Sequence, residues 1–321
     1  MHPSPASRSP VIDVRHLMKR YGDFTSVKDL TFQVQPGAVY GFLGPNGAGK
    51  TTTLRILLGV FRPTAGSISV LGAPSAFPVR HRVGYLPEEK GLYRKMRAAD
   101  VIAYFGRLKG LDASVAKQRA VASLERYGLG EFIRRPVEAL SKGMAQKVQL
   151  LATLVHDPEL VILDEPFSGL DPVNQELLEE IIRDLARRER TVLFSTHIME
   201  HAERLCDRIL IINRGQACFE GTLVEARATL PRRVRIQSPS DMTWVGEWEG
   251  VVRANLPPGC PSQAAGVHEF EVRPGADPQV LLSRCIERGV RLERFEQVNP
   301  SLHEVFVHSV KASEIGGDPL P

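Results

Sequence analysis

Residues 44–51 read Gly44-Pro45-Asn46-Gly47-Ala48-Gly49-Lys50-Thr51. They match the phosphate-loop pattern G-x-x-x-x-G-K-[ST]. The apolar run before the loop, residues 38–43, predicts a buried strand, and residues 51–58 predict the first turns of a helix. A strand, a glycine loop and a helix N-terminus direct backbone N–H groups at an anion, and glycines let the backbone approach the phosphate oxygens closely. The sequence therefore predicts a nucleotide site formed by this loop and Thr52, in which Lys50 reaches the β- and γ-phosphates and Thr51 holds Mg²⁺.

Length and composition are those of a soluble protein with about two domains. Of the 321 residues, 43% are apolar and 24% are charged, and the net charge of +4 is spread along the chain, so it indicates nucleic acid or acidic lipid only weakly. Uncharged apolar windows of about 18 residues, as a membrane span requires, do not occur. The first ten residues lack the apolar core of a signal peptide, and the four cysteines lack metal-binding spacing. We therefore expect a cytosolic chain with reduced cysteines.

Strand and helix patterns alternate through the first 230 residues. Alternating residues over 11–37 predict antiparallel strands, and buried strands follow at residues 160–163, 191–195 and 209–212, with an amphipathic helix at residues 174–188 between the first two. This order predicts an α/β phosphate-loop NTPase with a mainly parallel central sheet and an antiparallel β subdomain. From residue 231 to 310, short strands between Pro and Gly turns and a helix at 278–288 predict a small α+β module. We expect disordered tails at residues 1–10 and 311–321.

Two adjacent acids, Asp164 and Glu165, end the apolar strand of residues 160–163. Because successive side chains of a strand point in opposite directions, the two carboxylates can serve different atoms. We expect Asp164 to bind Mg²⁺ through water and Glu165 to accept the proton of the attacking water. The alternative is a pair of solvated acids at a strand end.

Three further segments carry candidate binding residues. Ser141 and Gly143 precede a helix of residues 146–156 and form a second small anion site. His197 follows the strand of residues 191–195, which predicts a position near the γ-phosphate, although a lone histidine there is more often structural. Tyr21, upstream of the loop, is a candidate stacking platform for a base, with a turn or core tyrosine as the alternative.

The order of these motifs resembles that of the ATP-binding subunit of an ABC transporter, over roughly residues 11–225 of a domain that we place at 11–230. The resemblance implies that Tyr21 stacks on adenine, that Glu165 is the catalytic base and that His197 acts in catalysis by contacting the γ-phosphate. It implies that Ser141 and Gly143 bind the γ-phosphate of ATP held by another subunit. The resemblance therefore implies a head-to-tail homodimer or heterodimer with two ATP molecules at its interface.

Two departures from the usual family pattern stand out. The signature segment has Lys142 and Met144 where the family has Gly and Gln, while the phosphate contacts are retained. Glu88 replaces the usual glutamine after the strand of residues 83–87, so it becomes a candidate Mg²⁺ ligand that adds negative charge near the metal. In both departures the chain resembles a subgroup of bacterial exporters that includes Nat-type sodium-extrusion and multidrug exporter ATPases.

The predicted function is ATP hydrolysis that drives a separate polytopic membrane permease, in the export direction. The resemblance implies a helical subdomain at about residues 92–140, whose surface near residues 93–96 contacts the permease at the cytoplasmic face of a bacterial-type plasma membrane. Nucleic acid is not expected as a partner. A soluble ABC-type ATPase acting on ribosomes or nucleic acid is the alternative, but such proteins usually carry two cassettes or long insertions. A non-catalytic binding module would need a changed Lys50 or Glu165, and both are intact.

Overall fold

The computed structural model describes residues 9–89, 91–254, 266–273 and 275–314. The chain divides into two compact units, and Leu223–His308 forms the second of them. The first unit takes Met1–Thr222 and Ser309–Pro321. Most of the predicted N-terminal tail therefore lies outside the described residues, as do residues 315–321 of the predicted C-terminal tail.

The first unit contains nine strands and six complete helices within its described residues. The strands are β1 (Ile12–Tyr21), β2 (Phe24–Val34), β3 (Val39–Leu43), β4 (Ala65–Val70), β5 (Val83–Leu86), β6 (Leu160–Leu163), β7 (Thr191–Thr196), β8 (Arg208–Asn213) and β9 (Gln216–Thr222). The helices are α1 (Lys50–Leu57), α2 (Ala98–Leu108), α3 (Ala113–Arg126), α4 (Lys142–Leu154), α5 (Pro172–Arg187) and α6 (Met199–Leu205).

Six of these strands form the central sheet in the order β5-β6-β7-β3-β8-β9. Neighbours pair in parallel from β5 to β8, and only β9 is antiparallel. Every residue of β3, β6 and β7 is buried, as expected for strands covered on both faces. The predicted fold class is confirmed. The carboxyl ends of β3, β6 and β7 meet at one edge of the sheet, where the polar site residues follow them.

A separate antiparallel sheet has the order β2-β1-β4. Its register pairs Ile12 with Val34 and Ile12 with Val70, so the apolar residues of the three strands share one buried face. Phe32 of β2 stacks on Phe42 of the central sheet at a centroid distance of 5.7 Å, which joins this sheet to the main core. The predicted antiparallel β subdomain is confirmed.

The helical subdomain is built from α2, α3 and α4 around a core of its own. Gly106 of α2 lets the helices approach, because a Cβ there would lie 3.2 Å from side-chain atoms of Leu111 and Val155. Within this subdomain the chain leaves the helical conformation after α2, where Gly110 takes a φ of +98°. The core extends to Val155, the residue that follows α4, beyond the predicted limit at residue 140.

The second unit is built around a four-stranded antiparallel sheet. It contains α7 (Leu223–Ala228), β10 (Arg232–Gln237), β11 (Val251–Ala254), β12 (Val267–Val272), α8 (Pro278–Glu287) and β13 (Arg294–Val298), and α9 (Leu302–Glu314) begins within it. The strand order is β11-β12-β10-β13, and an apolar core lies between the sheet, α8 and a 3₁₀ turn at Thr243–Glu247. The unit begins at Leu223, before the predicted boundary at residue 231. Since α9 runs to Glu314, the prediction of a tail from residue 311 is wrong for residues 311–314.

Candidate functional site

The phosphate loop joins the end of β3 to the start of α1, as the sequence pattern predicts. Gly47 and Gly49 take φ values of +79° and +104°, a region that favours glycine. A Cβ on Gly49 would lie 2.7 Å from the carbonyl oxygen of Ser26, and one on Gly44 would lie 2.5 Å from that of Ile212. Neighbouring backbone therefore leaves no room for a side chain at Gly44 or Gly49, and glycine at these two positions permits the tight path of the loop.

Lys50, the first residue of α1, is buried inside this loop. Its Nζ donates hydrogen bonds to the carbonyl oxygens of Gly44 at 2.7 Å and Pro45 at 3.2 Å. The same Nζ lies 3.1 Å from Oε1 of Glu165, and only 6% and 9% of the two side chains are exposed. The cation of the loop is thus ion-paired with the carboxylate at the end of β6.

Asp164 lies directly after β6 and faces the first turn of α1. Its Oδ1 accepts a hydrogen bond from Oγ of Ser195 at 2.7 Å and another from Oγ1 of Thr51 at 3.3 Å. Burial raises the pKa of Asp164, against the lowering effect of these two hydrogen bonds. A hydroxyl and a buried carboxylate with converging oxygens suit Mg²⁺, since a cation there would offset the cost of burying the carboxylate.

Glu165 adopts a left-handed backbone conformation with a φ of +46°. Its N–H donates to Oγ of Ser195 at 2.9 Å, and its Oε2 lies 2.9 Å from Nδ1 of His197. These contacts arise because β6 and β7 are adjacent parallel strands, so the residues after them lie together. Ser195 joins Asp164 to Glu165, a role that the sequence analysis missed. The sequence signal for Ser195 was that it is a polar residue at the end of an apolar strand, next in the sheet to the strand that ends in Asp164 and Glu165.

A cavity of about 340 Å³ opens beside Glu165. Glu88 and Lys142, the two charged departures from the usual family pattern, both line it. Gln146 and Gln149 of α4 form part of its wall, where they donate to the carbonyl oxygens of Pro166 and Glu89. The structure therefore brings Glu88 to the face of the molecule that carries Glu165, with a lysine in the same cavity.

The signature segment begins α4. Oγ of Ser141 accepts the backbone N–H of Met144 at 3.3 Å, so Ser141 caps the helix. A Cβ on Gly143 would lie 2.6 Å from Nδ2 of Asn174, which explains the glycine at this position. Among the contacts that the structure describes, Ser141 forms no hydrogen bond with the phosphate loop, Glu165 or His197 of its own chain.

Tyr21 lies at the end of β1 with 42% of its surface exposed, so it is not a core tyrosine. Its ring meets that of Phe61 edge to face at a centroid distance of 6.1 Å, and Nζ of Lys19 lies 4.9 Å from the ring centroid. An exposed ring beside a cation presents a flat apolar surface on which a nucleobase can stack.

Comparisons with known proteins agree with this fold. The family described as ABC transporter matches residues 27–168, and the family described as ATP-binding protein DrrA1-3-like, C-terminal domain, matches residues 221–310. The uncharacterised ABC transporter ATP-binding protein YhaQ of Bacillus subtilis is 38% identical over 94% of this chain and 99% of its own length. Nod factor export ATP-binding protein I of Burkholderia lata is 44% identical over 65% of this chain and 70% of its own.

A solved structure of an ATP-binding subunit of an ABC transporter is 32% identical and superposes with a TM-score of 0.64, covering 68% of this chain and 92% of that one. The chain therefore belongs to the family of ABC transporter ATP-binding proteins. It is the ATP-binding and ATP-hydrolysing subunit of a transporter, which confirms the predicted class and activity. None of the helices in the described residues is long and apolar enough to cross a membrane.

Proposed function

We propose that this chain hydrolyses Mg²⁺-ATP between two head-to-tail ATPase subunits and so drives a separate membrane permease in the export direction. The observation that carries the proposal is the cluster of Lys50, Glu165 and His197 at the ends of β3, β6 and β7. The similarity to proteins named for Nod factor export supports the export direction. Since the permease lies in the membrane, the chain binds peripherally at the cytoplasmic face.

The residues of the phosphate loop, from Gly44 to Thr51, together with Thr52, bind the ATP phosphates through their backbone N–H groups. Lys50 leaves Glu165 and contacts the β- and γ-phosphates, while Tyr21 stacks on adenine. Thr51 and Asp164 supply oxygen ligands for Mg²⁺, and Glu88 supplies a further carboxylate from the neighbouring cavity. The metal ion, when bound, neutralises negative charge on the phosphates.

Glu165 accepts a proton from the water that attacks the γ-phosphorus. Its carboxylate is already oriented by the backbone donation to Ser195 and by His197 at 2.9 Å. Once Lys50 has turned to the phosphates, His197 is the remaining side chain that holds Glu165, and its exposed ring can also contact the γ-phosphate. This pairing of a base with an orienting group is the usual geometry of proton abstraction in enzymes.

A second subunit completes the ATP site. Ser141 and Gly143 lie at the N-terminus of α4, where the backbone N–H groups of a helix attract an anion. We expect them to bind the γ-phosphate of ATP held by the partner subunit, because no hydrogen bond between Ser141 and the phosphate loop of the same chain occurs among the residues that the structure describes. ATP then bridges two copies of this chain, or this chain and a related one.

The surface that we assign to the permease lies on the helical subdomain. Tyr93 is 52% exposed and meets Tyr104 edge to face at 5.4 Å. A largely apolar cavity of about 270 Å³, lined by Leu92 and Phe105 among others, opens next to it. Exposed aromatic residues beside an apolar cavity are typical of a protein interface.

The proposal is tested by purification of tagged Glu165→Gln protein with ATP from native membranes, followed by mass spectrometry. We expect a polytopic membrane protein to co-purify, because loss of the base traps the ATP-bound dimer. Tyr93→Ser in the same background should reduce its recovery at least tenfold. Phe77→Ser is the matched control, since Phe77 is an aromatic residue of the same unit that is 63% exposed. Recovery of ribosomes or nucleic acid in place of a membrane protein would refute the transport assignment.

A further inference from the structure

The second unit contains a cavity of about 720 Å³ at one end of its sheet. It lies between α7 and the segment that connects β12 to α8, and all of its lining residues belong to this unit. Much of the lining is apolar, and it includes Val224, Leu230, Pro231, Val272, Pro278 and Pro300. The volume is in the usual range for small-molecule sites.

The cavity carries three arginines, Arg227, Arg232 and Arg273. Arg232 of β10 pairs with Val272 of β12, so Arg273 is the residue next to that pair, and both arginines line the same cavity. Both side chains are exposed, and neither guanidinium hydrogen-bonds or ion-pairs with any residue that the structure describes. Two like charges in one cavity repel each other, so an anion bound there would be stabilised.

Negative charge in the cavity is scarce. Asp277 is the only acid among the described lining residues, and its Oδ1 accepts the backbone N–H of Gln279 at 2.9 Å as the cap of α8. Gln297 and Asn299 add neutral hydrogen-bonding groups. The electrostatic environment therefore favours an anionic ligand.

Backbone hydrogen bonds fix the position of Arg273 in the cavity wall. The N–H of Arg273 donates to the carbonyl oxygen of Gly250 at 2.8 Å, and the carbonyl oxygen of Arg273 accepts the N–H of Ala276 at 3.0 Å. Val272 and Pro278 on either side of this segment are buried in the unit. In contrast, Val224 of α7 is 78% exposed, which leaves an uncovered apolar contact for a ligand.

We propose that this cavity binds an organic anion with an apolar body, by which the accessory unit senses a small molecule. Arg232 and Arg273 bind the carboxylate or a similar head group, for which guanidinium groups have matching geometry. The apolar body lies against Val224, Val272 and Pro300. An inorganic anion would leave this apolar lining uncovered, and a neutral apolar molecule would leave the two arginines without a partner.

The test is isothermal titration of the full-length chain with 1-naphthoate, in saturating ADP so that the phosphate loop is occupied. We expect one saturable site per chain. Arg232→Gln/Arg273→Gln should weaken binding at least tenfold. Arg291→Gln/Arg294→Gln removes the same charge from exposed positions of the same unit outside the cavity, and we expect its affinity to stay within twofold of wild type.

The ligand series separates charge from apolar contact. Neutral 1-naphthalenemethanol and acetate should each bind at least tenfold more weakly than 1-naphthoate. Ala228→Trp should also abolish binding, since Ala228 lines the cavity from an exposed position and the larger side chain fills it. Unchanged thermal unfolding midpoints show that the variants fold. The proposal is refuted if wild type does not bind 1-naphthoate, if the alcohol binds equally well, or if the cavity double variant retains wild-type affinity.

Discussion

The ion pair between Lys50 and Glu165 makes ATP binding compete with an internal contact. In the structure, Nζ of Lys50 donates hydrogen bonds to two carbonyl oxygens and forms an ion pair with the carboxylate of Glu165. ATP must draw this lysine away from the carboxylate that later acts as base. We therefore predict that Glu165→Gln stops turnover and at the same time tightens ATP binding.

The size of the effect follows from the geometry. At 3.1 Å, two unit charges attract by about 5 kcal/mol with an effective dielectric constant of about 20. Desolvation offsets most of this attraction, and we take the net contribution of this buried ion pair as about 1.5–3 kcal/mol, the range of interactions with charged groups. Glu165→Gln removes this contribution from the nucleotide-free state, so we expect it to lower the Kd of ATP by roughly 10- to 150-fold. Loss of the general base lowers turnover by about 10²–10⁴-fold.

Both quantities are measurable on one preparation. Titration with a fluorescent ATP analogue gives the Kd, and phosphate release gives the turnover rate. Glu159→Gln is the matched control, because it breaks an exposed ion pair with Arg82 at 2.7 Å, and it should change neither quantity. A Glu165→Gln protein that loses turnover but binds ATP no more tightly than wild type would refute the competition. Wild-type turnover would refute the assignment of the base.

Two further predictions concern Lys50 and His156. Lys50→Ala should weaken ATP binding by about 100-fold in the same titration, because the phosphates lose their main side-chain cation; near-normal affinity would contradict the assignment of the loop. Burial, with a smaller effect from the charge of Lys109, lowers the pKa of His156 to about 4, from 6.5 in an unfolded chain. Between pH 4 and pH 6.5 the folded state therefore binds fewer protons than the unfolded chain. The contribution of neutral His156 to the free energy of unfolding is complete above pH 6.5 and is lost as pH falls towards 4, with a loss of about 2 kcal/mol at pH 5. His156→Gln, which can still donate to the carbonyl oxygen of Val83, should lose less stability between pH 7.5 and pH 5.0 in urea unfolding; an equal loss in both proteins would contradict this account.

The phosphate loop and the acids were predictable from sequence because their constraints are local. Glycine spacing encodes the tight loop, and an apolar run that ends in Asp164 and Glu165 encodes a buried strand with polar residues at its end. Parallel pairing of β6 and β7 then brings His197 to Glu165. The role of Ser195 was not predictable in this way, since it depends on the side-chain geometry between two strands.

The second unit was predicted less completely, because its signals are weaker. β13 contains three polar residues in five, and its pairing with β10 is visible only in the register. The helix α9 begins after Ser301, whose hydroxyl and N–H bind the carboxylate of Glu304 in a capping box. That signature was present in the sequence. The polar residues after 310 predicted a tail there instead.

The two charged departures from the family pattern gain a physical explanation only in three dimensions. In the sequence, Glu88 adds a negative charge near the proposed metal, and Lys142 stands 54 positions later as an unrelated change. In the structure both line the cavity beside Glu165, so the extra carboxylate is accompanied by an extra cation. Gly169 makes room for Lys142, since a Cβ there would lie 3.0 Å from its Nζ. Relative to the usual family pattern, one added negative and one added positive charge leave the net charge of this cavity unchanged.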